Sequence, residues 1–342
     1  MIPHLRNLWS SLFERGQAAG AKTPGKLGTF IGVFTPTVLT ILGVIMYLRF
    51  GWVVGHVGLW QALLIVLLAN AITFVTALSF SAVATNSRVG VGGAYFIVSR
   101  SLGPEIGGAI GIPLFFSQVL SVTLYAYGLA ESLRFVWPGI PVQGAAFVII
   151  LLVGMLAFRG AGVALRMQVP ILLLIALSLL ALAGGSLLGG SAGRLVSSAP
   201  SGEFGFWTVF AVFFPAVTGI MAGLSLSGDL ANPRRSIPQG TVLATLTGFA
   251  VYLLVPVLLC LGGDPAELRS ESLIWTRIAL FGPWLVLPGL WGAIFPRPSA
   301  RSSARRTLQA LAMDRLAPRR LANAERGAEP LAVCLLHWPS LW

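Results

Sequence analysis

Between residues 29 and 295 the chain is a series of apolar runs of bilayer-crossing length, near 29–50, 57–84, 106–135, 142–158, 163–190, 206–228, 239–262 and 279–295. A helix needs about 20 apolar residues to cross the hydrocarbon layer. The run at 142–158 is short for that, and the last is cut off by a change in composition. Of the 342 residues, 56% are hydrophobic and only 10% charged, a balance no soluble globular domain has. The expected class is therefore an all-α, polytopic membrane protein. A net charge of +12 would also suit nucleic acid, but eight of the 23 Lys and Arg follow Phe295 and the others flank apolar runs. Topology explains them, and nucleic acid is not an expected partner. Cys260 and Cys334 make neither a disulfide framework nor a transition-metal site.

Residues 1–27 contain the basic amphipathic stretch LWSSLFERGQAAGAK with no small-residue cleavage site. They read as a cytoplasmic lead-in and not as a signal peptide. With the N-terminus inside, ten loop cations (Arg6, Arg15, Lys22, Lys26, Arg88, Arg100, Arg159, Arg166, Arg234, Arg235) face the cytoplasm and five (Arg49, Arg134, Arg194, Arg269, Arg277) face outward. That asymmetry supports an N-inside, multi-pass orientation.

The sixth run contains FFPAVTGIMAGLSLSGDLANPRRSIPQG at 213–240. Pro215, Thr218, Gly219, Ala222 and Gly223 crowd where an intact span would carry branched side chains. Proline removes a helical hydrogen bond and glycine lets the chain unwind. Unpaired backbone groups in hydrocarbon cost several kcal/mol each, so such a break persists only where the freed groups line a cavity or hold a ligand. The first run, FTPTVLTILGVIMYLRF, repeats the pattern with Pro36, Thr40 and Gly43. Two interrupted spans five apart sit at corresponding places of two units, and because five is odd the units are oppositely oriented. This is the inverted repeat of many secondary transporters, with substrates held at mid-membrane. The first five-helix repeat would cover 28–205 and the start of the second 206–295. No enzymatic chemistry is expected, and none of the eleven Asp and Glu falls in the middle of a span, which argues against a proton relay.

SFSAVATNSRVGVGGAYFIVSRSLGPEIGGAIG at 79–111, LYAYGLAE at 124–131 and FFPAVTGIMAGLSLSGDLANPRRSIPQGT at 213–241 resemble the cation–chloride cotransporter family of the amino acid–polyamine–organocation superfamily. The resemblance covers about 27–295 and resumes at TLQALAMDRLAP. It implies electroneutral symport of chloride with potassium, sodium or both, without a cofactor, in the cell (inner) membrane. It leaves a homodimer of a full-length form open. Carried over by residue, potassium would be held by the Thr40 and Ile41 backbone, the Tyr125 hydroxyl, the Pro215 carbonyl and the Thr218 side chain. One chloride would meet the amides of Gly43, Val44 and Ile45, and a second those of Gly219, Ile220 and Met221. Carbonyl ends of the half-helices favour a cation and amide ends an anion. Apart from the resemblance, Arg49 with Glu131 at the outer mouth and Asp229 with Arg234 and Arg235 on the inner side are candidate gates; the alternatives are solvated charges for the first and a helix-end cap with positive-inside charges for the second. GVGGAY at 90–95 lacks the lysine and the strand–helix setting of a phosphate loop. An amino acid or polyamine permease of the same superfamily is the alternative within transport, and a non-transporting gene product the alternative outside it.

Three departures from the family pattern stand out. Thr40 replaces a frequent Asn, and Leu42 a Trp common in sodium-using members. The eighth span, where a serine pair for sodium is expected, reads PRPSARSSARR. Arginine at a span centre costs about 2.5–3.5 kcal/mol each even on the lenient insertion scale, so 296–342 reads as an aberrant basic segment and truncated tail. A shifted reading frame is the expected account, since SSALGSILGAPRTLQAL, the form the resemblance implies here, would give such a string out of frame; a genuine cytoplasmic basic segment is the alternative. Resequencing the source DNA is expected to show small deletions near codons 296 and 306; a clean read without a nearby in-frame alternative rejects this.

Overall fold

The structure, a computed structural model, describes residues 27–86, 92–158, 161–189, 204–224, 226–227, 230–294 and 298–317. Among them the protein is helical, with a single isolated bridge, Leu27 to Leu230, in place of any sheet. Five helices are long and apolar enough to cross a membrane, and a shorter apolar one covers Val142–Leu152. This is the all-α membrane fold expected from the sequence.

The first element is a π-helical turn, Phe30–Phe34, running into α1 (Thr35–Ile41). Leu42 and Gly43 leave the helix, and α2 restarts at Val44 and runs to Asn86. Phe30–Asn86 is 57 residues long, about 86 Å as one rod at 1.5 Å per residue, far beyond a hydrocarbon core of about 30 Å. Gly58, with φ 73° and ψ 175°, breaks the rod and divides it into the first and second spans. The stretch 51–56 that separates these runs in the sequence is itself helical, because GWVVGH has no Asn, Asp, Ser or Pro to start a turn. His56, which reads as a solvated loop residue in the sequence, is half-buried on α2 with its ring 4.3 Å from that of Trp52.

Next come α3 (Ala94–Leu102), α4 (Pro104–Leu133), α5 (Val142–Phe158) and α6 (Ala161–Gly189). The sixth span is divided: α7 (Phe206–Phe213), a 3-10 turn (Phe214–Val217), an irregular Thr218–Ile220, then α8 (Met221–Leu224). The seventh, α9 (Pro233–Gly262), begins on Pro233, whose missing N–H is no loss in a first turn. Two short helices, α10 (Pro265–Ser270) and α11 (Trp275–Ile278), lead to α12 (Pro283–Ile294) and α13 (Pro298–Met313). The basic segment is thus helical from Pro298, yet α13 is not among the helices apolar enough to cross.

The main core packs α2 against α9, with α6, α7 and α12 around them. At its centre the rings of Phe50 and Phe213 meet edge to face at 5.0 Å, and Tyr252 lies 5.2 Å from the first and 5.7 Å from the second. A second contact set ties α3 to the end of α13. The Asp314 carboxylate accepts from Tyr95 Oη at 2.8 Å and Ser99 Oγ at 3.1 Å and pairs with Arg100 at 2.8 Å. Burial and then the Asp314 carboxylate push the Tyr95 phenol above its usual range, so it stays a donor to that carboxylate.

Candidate functional site

Both breaks expected from proline and glycine are present, and they touch. Leu42 turns out of the helix at φ −77°, ψ 43°, its N–H still bonded to Val38 O, while the Gly43 N–H closes a tight turn onto Ile41 O at 2.8 Å. At the second break, the Thr218 N–H and hydroxyl both bond Pro215 O, at 3.4 and 2.8 Å. The segments meet because glycine faces backbone. A Cβ on Gly219 would lie 2.7 Å from the Ile41 nitrogen and 2.9 Å from Thr40 Cγ2, and one on Gly223 would lie 2.5 Å from Thr37 Oγ1. Residues ascending on one segment thus meet residues descending on the other. The piece before the first break and the piece after the second are antiparallel neighbours, as oppositely oriented units require.

A cavity of about 690 Å³ opens beside this junction. Its lining includes Thr40, Ile45, Tyr125, Pro215 and Thr218, together with the Gly219–Met221 turn. Tyr125 is placed by the approach of α4 to α2. One turn on, a Cβ on Gly128 would lie 2.5 Å from Val44 Cγ2, and one on Gly43 would lie 3.1 Å from the Tyr125 hydroxyl. Ile41, Gly43 and Val44 are buried behind the wall and do not line the cavity. The Ile41 carbonyl points away, toward α9, where it accepts from the Tyr252 hydroxyl.

The opposite wall carries hydroxyls that the sequence reading passed over: Thr73 and Thr76 on α2, Ser117 and Ser121 on α4, with Gln118 beside them. The spacing of three or four residues inside apolar spans is the signal that could have found them. Thr40, Thr73, Thr76, Ser121 and Thr218 each donate to a carbonyl of their own helix or turn, at 2.7 to 3.1 Å. Their remaining capacity is lone pairs, so these hydroxyls offer a cation acceptors. For an anion the junction offers backbone N–H groups. Among the described residues, no backbone acceptor takes the amides of Val44, Ile45, Gly219, Ile220 or Met221. Those of Val44 and Ile45 also open the long α2, at the positive end of its dipole. No Asp or Glu is among the lining residues.

The proposed gates differ from this arrangement. The ion pairs among the described residues are Arg100–Asp314 and Arg277 with Glu267 and Glu271; none joins exposed Arg49 to half-buried Glu131. Asp229 lies outside the described residues.

A set of apolar helices, two of them parted at one shared cavity without a carboxylate, defines a multi-pass membrane protein built around a neutral polar site. Comparison with known proteins agrees. The amino acid permease family model matches residues 32–338, and the chain belongs to that family. It is similar to solute carrier family 12 member 9 of Danio rerio, 34% identical over 353 aligned residues covering 88% of this chain and 39% of the relative. Solute carrier family 12 member 2 of Homo sapiens is 38% identical over 269 residues, 70% of this chain and 22% of that protein. Solute carrier family 12 member 8 of Mus musculus is 33% identical over 336 residues, 91% and 47% respectively. The chain spans less than half the length of these relatives.

Proposed function

We propose that the junction cavity binds potassium and chloride and that the chain descends from, or forms part of, a symporter coupling the two, with sodium an alternative cation. The observation that carries this reading is the division of labour at one cavity. Uncharged oxygens of Thr40, Tyr125, Pro215 and Thr218 line it, and so do Ile45, Gly219, Ile220 and Met221, whose amides have no backbone acceptor among the described residues. Potassium exchanges its water for neutral oxygens without needing a carboxylate, and chloride suits exposed N–H groups. The similarity to solute carrier family 12 members supports it. The membrane would be the cell membrane, with the N-terminus cytoplasmic.

The test is the purified chain in liposomes, scored for rubidium uptake with and without external chloride. Chloride-dependent rubidium entry, reduced at least tenfold by Thr218→Ala, is the expected result. Uptake of labelled amino acids with no response to chloride would instead support the permease reading that the family's description suggests, and flux of neither kind overturns both for this chain.

A further inference from the structure

The Tyr252 hydroxyl is buried at the junction and is used by nothing described so far. Tyr252 has no exposed surface, lies on α9 between the rings of Phe50 and Phe213, and donates to Ile41 O, with Ala216 O at 3.3 Å. Ile41 ends the half-helix before the first break, and Ala216 lies in the 3-10 turn that leads into the second. One turn earlier, Gly248 brings α9 close enough for this reach, since a Cβ there would lie 2.5 Å from Ile41 Cγ2.

A carbonyl oxygen has two lone pairs. On Ile41 one takes the Gly43 N–H and the other the Tyr252 hydroxyl, so this oxygen has no capacity left for an ion and is turned from the cavity. Pro215 O is also doubly bonded, but both its donors belong to Thr218 in its own turn, and a threonine hydroxyl swings away by rotating one bond. The Tyr252 hydroxyl is fixed by a ring wedged in the core, and it leaves Ile41 only if α9 and the first half-helix separate.

We propose that Tyr252 is a positioning residue that competes with the bound cation: its hydroxyl clamps a carbonyl at each break and withholds the Ile41 carbonyl from the cavity. This rests on the cation-site reading above. Removing a competitor and damaging a core act in opposite directions on binding. If part of the population is locked by the clamp, apparent affinity falls by the fraction left competent, so Tyr252→Phe, which keeps the ring, tightens cation binding, whereas a packing defect weakens it.

The experiment measures radioactive rubidium binding to the purified 342-residue chain beside hydrogen exchange of the peptides covering 38–46 and 214–222 in cation-free buffer. Tyr47→Phe, which removes a buried hydroxyl bonded to Ser178 at 2.5 Å and to the carbonyl of neither break, is the comparison. Tyr252→Phe is expected to lower the rubidium dissociation constant about fivefold, the order of one neutral hydrogen bond, and to speed exchange at both breaks, with Tyr47→Phe doing neither. An unchanged or weakened rubidium affinity in Tyr252→Phe overturns competition. If wild type binds no rubidium, the site reading fails, and exchange alone decides the clamp: faster at both breaks upholds it, unchanged overturns it. Should Tyr252→Phe not fold, the wild type decides: saturating rubidium is expected to speed exchange of the α9 peptide covering 248–256, where the hydroxyl must leave Ile41, and unchanged or slower exchange there overturns the proposal.

Discussion

Gly219→Ala is expected to abolish rubidium binding while leaving a folded, helical chain. The added methyl would sit 2.7 Å from the Ile41 nitrogen, and ordinary contact begins at 3.4 Å, so the junction must open by about 0.7 Å, the difference of the two. A flexible side chain could swing aside, but the nearest atom is backbone, so the shift falls on the two half-helices themselves. Overpacking of this kind costs about 1–3 kcal/mol, which a chain with this much helix–helix contact can absorb in stability. The cavity cannot absorb it in geometry. Thr40 and Thr218 flank the contact, and a displacement of this size separates oxygens that must close on one ion. Gly139→Ala, at a position with nothing within 4 Å of the new methyl, is expected to leave both melting and binding unchanged. Unaltered rubidium affinity in Gly219→Ala would show that the two breaks do not lie against each other.

The breaks were legible because their cause is local. Gly43 and Gly219 allow the turns, Pro215 removes a helical donor just before the second, and neither effect needs a distant partner. The spacing of the two breaks made their opposite orientation legible as well. Span ends were legible where a composition change marks them, as at Leu133 and Gly262, and not where apolar residues continue through a turn. The sequence separates the first two spans at 51–56, whereas the chain stays helical to Gly58 and turns there on a glycine with positive φ. At the eighth run, Phe281 and Gly282 both take positive φ, and α12 starts at Pro283, four residues later than the apolar run. What could not be read is pairing across the fold. Tyr252 lies 211 residues from Ile41, and nothing in GFAVYLL distinguishes a clamp from a packed aromatic. Asp314 likewise reads as the end of a helix until α3 is laid beside it. The hydroxyls of Thr73, Thr76, Ser117 and Ser121 were visible as polar residues in apolar spans, but their common cavity depends on how α2 and α4 pack.

Trp275→Ala should give the largest loss of stability with the least effect on the site. Trp275 is the largest fully buried side chain, on the four-residue α11, with its ring 4.8 Å from Tyr47. Truncating a buried Trp to Ala costs about 3–5 kcal/mol, part transfer energy and part cavity. Between helices in lipid the transfer share is small, because the alternative surroundings are as apolar as the core, and lost dispersion contacts dominate. The expected cost is therefore near the lower end, about 3 kcal/mol, or a fall in melting temperature on the order of 5–10 °C. Trp275→Phe, which keeps a ring against Tyr47, should lose less than half as much. Neither Trp275 nor Tyr47 lines the cavity, so the rubidium dissociation constant of Trp275→Ala, measured well below its melting point, should match that of the wild type. A melting temperature that does not move would mean the ring is not a core wedge. An affinity that falls together with stability would mean that α11 supports the half-helices directly, through Tyr47 and the start of α2, and that packing and ion binding cannot be separated in this fold.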